Sequence, residues 1–327
     1  MDKAIIITTI NAKTKALTEF ERRDGWHVVV IGDRKSQPIE STETLTFLSV
    51  EDQHDLGFSL VEACPYDHYT RKNIGYLYAL QHGAKIIYDT DDDNLPYESW
   101  GGPDFSCSRQ LSSDSSFANV YRYFTDEHVW PRGYPLQSIQ NKDGFTVVED
   151  GTLTVGVWQG LADREPDVDA IFRLVFGKEI TFDDRAPVAL PEGLYCPFNS
   201  QNTFWTEAAF PYLYLPATVT FRFTDILRGY VAQRLMWDQD LHLGFTDATV
   251  YQDRNVHDLM RDFESEVDCY LAVKQIAEKM ATSSFTGKPL DRLKQVYQQL
   301  HSDSHVTDTE LELLDAWTSD FRKARTS

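Results

Sequence analysis

The sequence lacks a glycine-rich phosphate-binding loop. Neither GxGxxG nor GxxxxGK[ST] follows the first apolar run, residues 4–9, which argues against a dinucleotide-binding fold and against a nucleoside triphosphatase. No apolar run approaches the length of a transmembrane helix, and no signal peptide precedes the first run. We therefore expect a soluble, cytoplasmic protein without a membrane span.

Positive charge and closely spaced cysteines are also scarce. Lys and Arg number 31 against 51 Asp and Glu, a net charge of −20, which argues against binding to a nucleic-acid backbone or an anionic membrane. The four cysteines are far apart and form no CxxC pair, so they carry no zinc-site signature and fit a reducing compartment. An anionic substrate would then need a metal ion or a local positive patch.

The first hundred residues alternate between two kinds of pattern. Short apolar runs typical of buried strands lie at residues 4–9, 26–31, 45–50 and 84–88, and helix-compatible stretches lie at 13–23 and 72–82. This order predicts an α/β protein with one open, mixed but mostly parallel sheet and helices on its faces.

Ligands of such sheets bind outside the carboxyl ends of the strands. Several polar residues of this sequence fall at those predicted ends, and they are our candidates for the nucleotide site: Thr8, Thr9, Asn11, Asp33 and the acidic cluster Asp91–Asp93.

The acidic cluster follows the fourth strand directly, in the stretch DTDDDN at residues 89–94. Crowded carboxylates repel one another unless a cation lies among them. Asp91 and Asp93 alternate, so an extended strand end points both to one side while Asp92 faces elsewhere. Oxygen ligands favour magnesium, manganese or calcium over zinc. A solvated acidic turn is the alternative interpretation.

Two cations, Arg71 and Lys72, stand just before the helix that leads into the acidic strand. Positive charge at a helix start opposes the helix dipole, so a phosphate or carboxylate partner is favoured over an ordinary solvated helix start.

Several segments together resemble one protein family. They are residues 71–84 running into 88–94, then 130–136, 157–163, 223–234 and 254–258. In this order they resemble the STELLO-like glycosyltransferases and, more distantly, the reversibly glycosylated polypeptides, which include UDP-arabinopyranose mutases. The resemblance implies a GT-A fold, a nucleotide-sugar donor (a UDP-sugar is expected) and Mn²⁺ or Mg²⁺. Asp91–Asp93 then corresponds to the metal-binding DxD motif.

The resemblance also implies a catalytic base and a third metal ligand. Asp225 precedes a helical pattern at residues 226–237; helix capping is its structural interpretation, while in GT-A enzymes an acidic residue at this place takes the acceptor proton. Asp238 and Asp240 are the alternatives. His257, with Asp258 as fallback, would complete the metal site.

Two arginines of the same predicted helix, Arg228 and Arg234, are further candidates for the nucleotide site. They lie six positions apart and so not on one helix face. One would reach a phosphate while the other pairs with an acid.

The later chain predicts further strands and a helical end. Strands are expected at residues 147–158, 186–197 and 248–251, a helix at 161–176, and a polar sugar-facing loop at 199–203. Amphipathic helices at 290–300 and 309–322 form a C-terminal appendage, which divides the chain into a catalytic domain (1–279) and an appendage (280–327).

The expected activity is transfer of a hexosyl or pentosyl group from a nucleotide sugar to a hydroxyl acceptor such as a glycan. Three alternatives remain open. A sugar-nucleotide mutase would need an attachment residue that the sequence does not identify. A nucleotidyltransferase normally has a glycine-rich, basic N-terminal loop, which residues 8–15 lack. A catalytically silent scaffold protein would keep only the metal and nucleotide pocket.

Overall fold

The computed structural model describes residues 1–140, 144–253 and 258–326. Within them, ten strands form one sheet in the order β3-β2-β1-β4-β9-β7-β6-β8-β10-β5. The strands are β1 (Lys3–Thr8), β2 (His27–Ile31), β3 (Leu45–Leu48), β4 (Ile86–Thr90), β5 (Asn94–Pro96), β6 (Ser106–Ser112), β7 (Thr146–Asp163), β8 (Val188–Ala189), β9 (Asn202–Thr206) and β10 (His242–Gln252).

Helices cover the sheet and extend the chain beyond it. The α-helices of the described residues are α1 (Lys15–Glu21), α2 (Val50–Asp55), α3 (Ser59–Ala63), α4 (Lys72–Gln81), α5 (Tyr121–Phe124), α6 (Ala170–Phe176), α7 (Thr224–Trp237), α8 (Leu259–Thr282), α9 (Pro289–Ser302) and α10 (Asp308–Thr326). None of the helices in these ranges is both long enough and apolar enough to cross a membrane.

The predicted α/β architecture is confirmed, but the sheet is not mostly parallel. β3, β2, β1 and β4 pair in parallel, as the alternating strands and helices predict. β9 then pairs antiparallel with both β4 and β7, and in the described ranges five strand pairings are parallel and five antiparallel. Strand direction depends on the connections, which apolar runs do not reveal.

Alternate residues of the buried strands enter two different cores. Ala4 and Ile6 of β1 belong to the larger core, whereas Ile5 and Ile7 belong to the smaller one on the other face. A strand covered on both faces has no solvated face, so it reads as a continuous apolar run. This explains why the first four strands were visible in the sequence.

Two predictions beyond the first hundred residues were wrong in extent, and one long helix was missed. Residues 161–163 finish β7, so the helix predicted over 161–176 is only α6, which Asp169 begins by accepting a hydrogen bond from the backbone N–H of Phe172. The strand predicted at 186–197 shrinks to β8, and α8 was not predicted. Pro166 lies between β7 and α6, where its fixed φ and missing N–H favour a boundary.

The two predicted C-terminal helices are present as α9 and α10, each extended by a few residues. Leu293 and Tyr297 of α9 and Leu313 and Trp317 of α10 are buried in the larger core together with residues of α4 and α7. The C-terminal helices therefore share a core with the rest of the chain, while the division at residue 280 stays a prediction.

Candidate functional site

Two adjoining cavities open where β1 and β4 end. The first has a volume of about 260 Å³ and the second about 390 Å³, and four residues line both: Thr8, Tyr69, Asp92 and Phe221. The first is otherwise lined by Asp91, Asp93, Arg132, Asp167, Arg173, Asn199, Gln201, Arg222, Asp225 and Gln252. The second is otherwise lined by Thr9, Ile10, Asn11, Ile31, Gly32, Asp33, Lys35, Asp67, His68 and Arg71.

The three carboxylates of the acidic cluster have different partners. The Asp91 carboxylate accepts a hydrogen bond from the Tyr69 hydroxyl at 3.2 Å. Asp93 accepts from Nε2 of Gln252 at 3.0 and 3.1 Å. Asp92 instead accepts from Nδ2 of Asn11 at 3.0 Å. The Asp92 carboxylate is thus bound to the chain that follows β1 and lines both cavities, whereas Asp91 and Asp93 line only the first.

The Asp91 carboxyl is costly to ionise without a cation. Burial raises its pKa to about 7; the Lys72 ammonium opposes this shift, and the carboxylates of Asp93 and Asp89 add to it. A divalent cation beside Asp91 and Asp93 would offset the repulsion, and two carboxylates are donors that Mg²⁺ and Mn²⁺ accept. The donor chemistry of Asp91 and Asp93 therefore fits such an ion.

The third predicted metal ligand, His257, lies outside the described residues. Asp258, its fallback, begins α8 and accepts hydrogen bonds from the backbone N–H of Met260 and Arg261 at 3.1 and 3.3 Å. In the parts of the chain that the structure describes, no group of three His, Cys, Asp or Glu side chains is placed to hold a metal ion.

Six of the predicted nucleotide-site residues line the second cavity: Thr8, Thr9, Asn11, Asp33, Arg71 and Asp92. The Asp33 carboxylate accepts from the backbone N–H of Arg34 at 2.7 Å and of His68 at 3.2 Å. The Arg71 guanidinium already has hydrogen-bond partners inside the protein, because it donates to Gln53 Oε1 at 3.0 Å and to the Cys64 carbonyl at 3.2 Å.

Lys72 and Arg228 lie beneath the cavities rather than in their lining. Lys72 Nζ is 2.6 Å from one oxygen of Asp89, and Arg228 Nη1 is 2.8 Å from the other. All three side chains are almost completely buried. Lys72 Nζ is also 3.5 Å from Asp91. Both cations thus pair with Asp89, and Lys72 also lies near Asp91. The sequence placed Lys72 and Arg228 among the nucleotide-binding candidates and did not predict this buried pairing.

Arg228 also holds the loop that precedes β9. Its Nη2 donates to the Asn199 carbonyl at 3.1 Å and to the Ser200 hydroxyl at 2.8 Å. The next residue, Gly229, permits this close approach, since a Cβ there would lie 2.6 Å from the Phe198 carbonyl oxygen.

The remaining candidates on α7 lie away from the cavities. Arg234 donates to Asp238 at 2.8 Å and to the Met280 carbonyl at 2.9 Å. Asp240 is exposed just beyond the helix end. In the described structure, neither cavity is lined by Arg234, Asp238 or Asp240.

Asp225 lies in the first turn of α7 and is held by an arginine fork. Arg132 donates to both oxygens of Asp225, at 3.0 and 2.9 Å, and to both oxygens of Asp167, at 2.8 and 2.7 Å. Burial alone would raise the pKa of Asp167, but Arg132 and Arg222 hold it below its ordinary value. The fork presents two carboxylates to the first cavity.

Sequence reasoning missed Arg132, Asp167 and Arg173, which all line the first cavity. The members of the fork are separated by 35 and 93 positions, so no local spacing connects them. The available signal was the position of Arg132 within the family-like segment 130–136.

No family model matches the chain. The probable glycosyltransferase STELLO1 of Arabidopsis thaliana is 29% identical to it over 343 aligned positions, which cover 98% of this chain and 44% of STELLO1. The resemblance to the STELLO-like glycosyltransferases is confirmed. The probable glycosyltransferase STELLO2 of the same plant gives the same identity and coverage. The chain thus spans less than half the length of these curated relatives.

Proposed function

We propose that the chain is a metal-dependent glycosyltransferase of GT-A architecture that moves a sugar from a nucleotide sugar to a hydroxyl acceptor. The observation that carries this proposal is the arrangement of the two cavities, which meet at the acidic cluster. The second cavity suits the nucleoside, the Asp91–Asp93 junction the diphosphate, and the first cavity the sugar and acceptor. The names of the STELLO relatives support the same reaction class.

Donor binding would use the residues around the junction. Mn²⁺ or Mg²⁺ held by Asp91 and Asp93 would neutralise the diphosphate and so stabilise it as a leaving group. Lys72 and Arg228 hold the strand end that carries these carboxylates. Phe221, more than half exposed on the rim of both cavities, offers an apolar face to the base or the sugar ring. We expect a UDP-sugar as donor.

Asp225 is our candidate for the general base in an inverting reaction. It lines the first cavity, and Arg132 orients its carboxylate. From there it would accept the proton of the acceptor hydroxyl as that oxygen attacks the anomeric carbon. Asp167 shares the fork and the cavity, so it provides the matched comparison.

A catalytically silent nucleotide-binding protein is the second candidate. The observation that favours it is the same fork, since both oxygens of Asp225 already accept hydrogen bonds from Arg132. Such a protein would bind a nucleotide without turnover.

Thermal unfolding with UDP, GDP, CDP and ADP, each with and without Mn²⁺, tests the donor site. A ligand at a hundredfold excess over its dissociation constant stabilises the fold by about 2.7 kcal/mol. We expect a metal-dependent shift with UDP that is lost in Asp91→Asn/Asp93→Asn. Glu19→Gln is the control, because it removes one surface carboxylate that pairs with Arg22 and lines neither cavity, and it should keep the metal-dependent shift.

Sugar transfer is measured in a separate assay with UDP-hexoses and UDP-pentoses as donors. Asp225→Asn should keep metal-dependent UDP binding and lose sugar transfer, whereas Asp167→Asn should keep measurable transfer. Equal transfer by Asp225→Asn and the wild type would refute the base. Binding of UDP with no turnover of any sugar would favour the silent protein, and no shift with any nucleotide would refute the donor site.

A further inference from the structure

A loop of residues 217–225, here called the wall segment, forms one side of the candidate site. Phe221 lines both cavities, and Arg222 and Asp225 line the first. Most of the segment precedes α7 and has no regular secondary structure. Its position therefore depends on side chains from other parts of the chain.

The beginning of the wall segment is held by one carboxylate of α10. Glu310 is completely buried, and its Oε2 accepts hydrogen bonds from the backbone N–H of Ala217 at 2.9 Å and of Thr218 at 2.7 Å. Its Oε1 accepts from the Tyr214 hydroxyl. Glu310 thus ties a helix that begins some 90 positions later to the loop that carries Phe221 and Arg222.

Three further contacts hold the middle of the wall segment against α8. The Thr220 hydroxyl donates to the Ser265 carbonyl at 2.5 Å. The backbone N–H of Arg222 donates to the Ser265 hydroxyl at 3.3 Å, and Arg222 Nε donates to Glu266 Oε1 at 2.9 Å. At the start of the segment, the Thr218 hydroxyl also accepts from the backbone N–H of Thr307 at 3.3 Å, but among the described residues Glu310 is the side chain that accepts from the backbone amides of Ala217 and Thr218.

We propose that Glu310 is a positioning residue, which places the cavity-lining side chains of the wall segment by fixing its first two amides. The C-terminal helices then complete the candidate site instead of forming an independent appendage. Glu310 itself does not touch a substrate. The consequence for nucleotide binding rests on the proposed function, whereas the consequence for the mobility of the wall segment does not.

The same helix supplies a matched control. Asp320 of α10 is also buried, and its Oδ2 accepts a hydrogen bond from the backbone N–H of Leu60, the second residue of α3, at 2.7 Å. Both carboxylates therefore join α10 to a backbone N–H elsewhere, but α3 does not line either cavity in the described structure. Loss of either contact should cost stability, whereas only loss of the Glu310 contact should affect the site.

Amide hydrogen exchange and binding of Mn²⁺ with UDP are to be measured on full-length wild type, Glu310→Ala, Glu310→Gln and Asp320→Ala. In Glu310→Ala, we expect exchange over residues 217–224 to accelerate, and UDP affinity to fall, each by about tenfold, because two buried amides lose their acceptor. Glu310→Gln keeps a carbonyl oxygen for both amides and an amide that can face the Tyr214 oxygen, so it should restore both readouts. Asp320→Ala should accelerate exchange near Leu60 and keep the wild-type UDP affinity.

Unchanged exchange over 217–224 in Glu310→Ala, or the same acceleration in Asp320→Ala, would overturn the proposal. Faster exchange with unchanged UDP affinity would also overturn it. If the wild type binds no nucleotide, the proposed function fails while the exchange measurement still decides whether Glu310 fixes the segment. Should Glu310→Ala not fold, Glu310→Asp replaces it, because the shorter side chain cannot reach both the amides and Tyr214.

Discussion

Replacing Asp89 by asparagine would test the charge balance beneath the candidate site. The Asp89 side chain is fully buried between Lys72 and Arg228, whose charged nitrogens lie 2.6 and 2.8 Å from its two oxygens. Asparagine has nearly the same shape but no charge. The substitution therefore leaves two buried cations facing each other with no anion between them, while the packing of β4 is kept.

The expected loss of stability follows from burial. Removing one partner of a buried ion pair costs about 3–5 kcal/mol, because the remaining charge is left uncompensated. We expect Asp89→Asn to lie in this range, since Lys72 keeps the Thr90 carbonyl at 2.6 Å and Arg228 keeps the Ser200 hydroxyl at 2.8 Å. Glu19→Gln, which breaks an exposed ion pair with Arg22, should cost at most about 1 kcal/mol.

The dependence on pH gives a second measure of the same interaction. Burial alone would raise the pKa of Asp89, but Lys72 and Arg228 hold it below its ordinary value. A lowered pKa in the folded state contributes stability above the unfolded pKa of about 3.9 and loses it as the pH falls further. The difference between wild type and Asp89→Asn should therefore shrink below about pH 4.

Urea unfolding at pH 7 and at a series of acidic pH values is the assay. A difference of less than about 1 kcal/mol between wild type and Asp89→Asn at pH 7, no larger than that of Glu19→Gln, would refute the reasoning. So would a difference that stays constant to the lowest pH at which the protein folds.

Two further predictions concern elements beside the site. Burial raises the pKa of Asp169 to about 6, although the hydrogen bonds from Phe172 and Trp130 oppose this shift. Because the folded state then holds the proton more tightly than the unfolded state, the unfolding free energy of the wild type should fall by roughly 3 kcal/mol relative to that of Asp169→Asn between about pH 4 and pH 7. A difference in unfolding free energy that stays constant over this pH range in urea unfolding would contradict the prediction. Gly229→Ala would place a Cβ 2.6 Å from the Phe198 carbonyl oxygen and should lower the unfolding free energy by about 1–3 kcal/mol. Gly101→Ala meets open space and should be near neutral; equal losses in the two variants would argue against a close approach of α7.

The first half of the sheet could be predicted because its information is local. Each of the first four strands is a short apolar run, and the acidic cluster follows the fourth at once. The strand pairings after β4 could not be predicted in the same way. β9 inserts antiparallel between β4 and β7 although more than 100 residues separate it from β4, and no local pattern records such a connection.

In the candidate site, too, features that depend on neighbouring residues could be predicted, and those that depend on distant residues could not. Asp91 directly follows β4, and Asp92 and Asp93 form a turn before β5 instead of the predicted extended strand end. The ends of β1 and β2 carry Thr8, Thr9 and Asp33 to the second cavity, as the sequence predicts. For the basic residues, the sequence identified the residue type but not the partner. Lys72 was expected beside a phosphate or a carboxylate, and either Arg228 or Arg234 at a phosphate. In the structure Lys72 and Arg228 are both paired with the Asp89 carboxylate.

The sequence by itself determined the order of the early strands and helices, the acidic strand end and the amphipathic C-terminal helices, because burial and helical period act over a few neighbouring residues. Only the tertiary structure decided which charges meet. Arg132 joins Asp167 and Asp225, and Glu310 reaches the amides of the wall segment. A buried charge must be paired with an opposite charge or a hydrogen-bond donor that the fold brings next to it. In this chain those partners come from distant parts of the sequence.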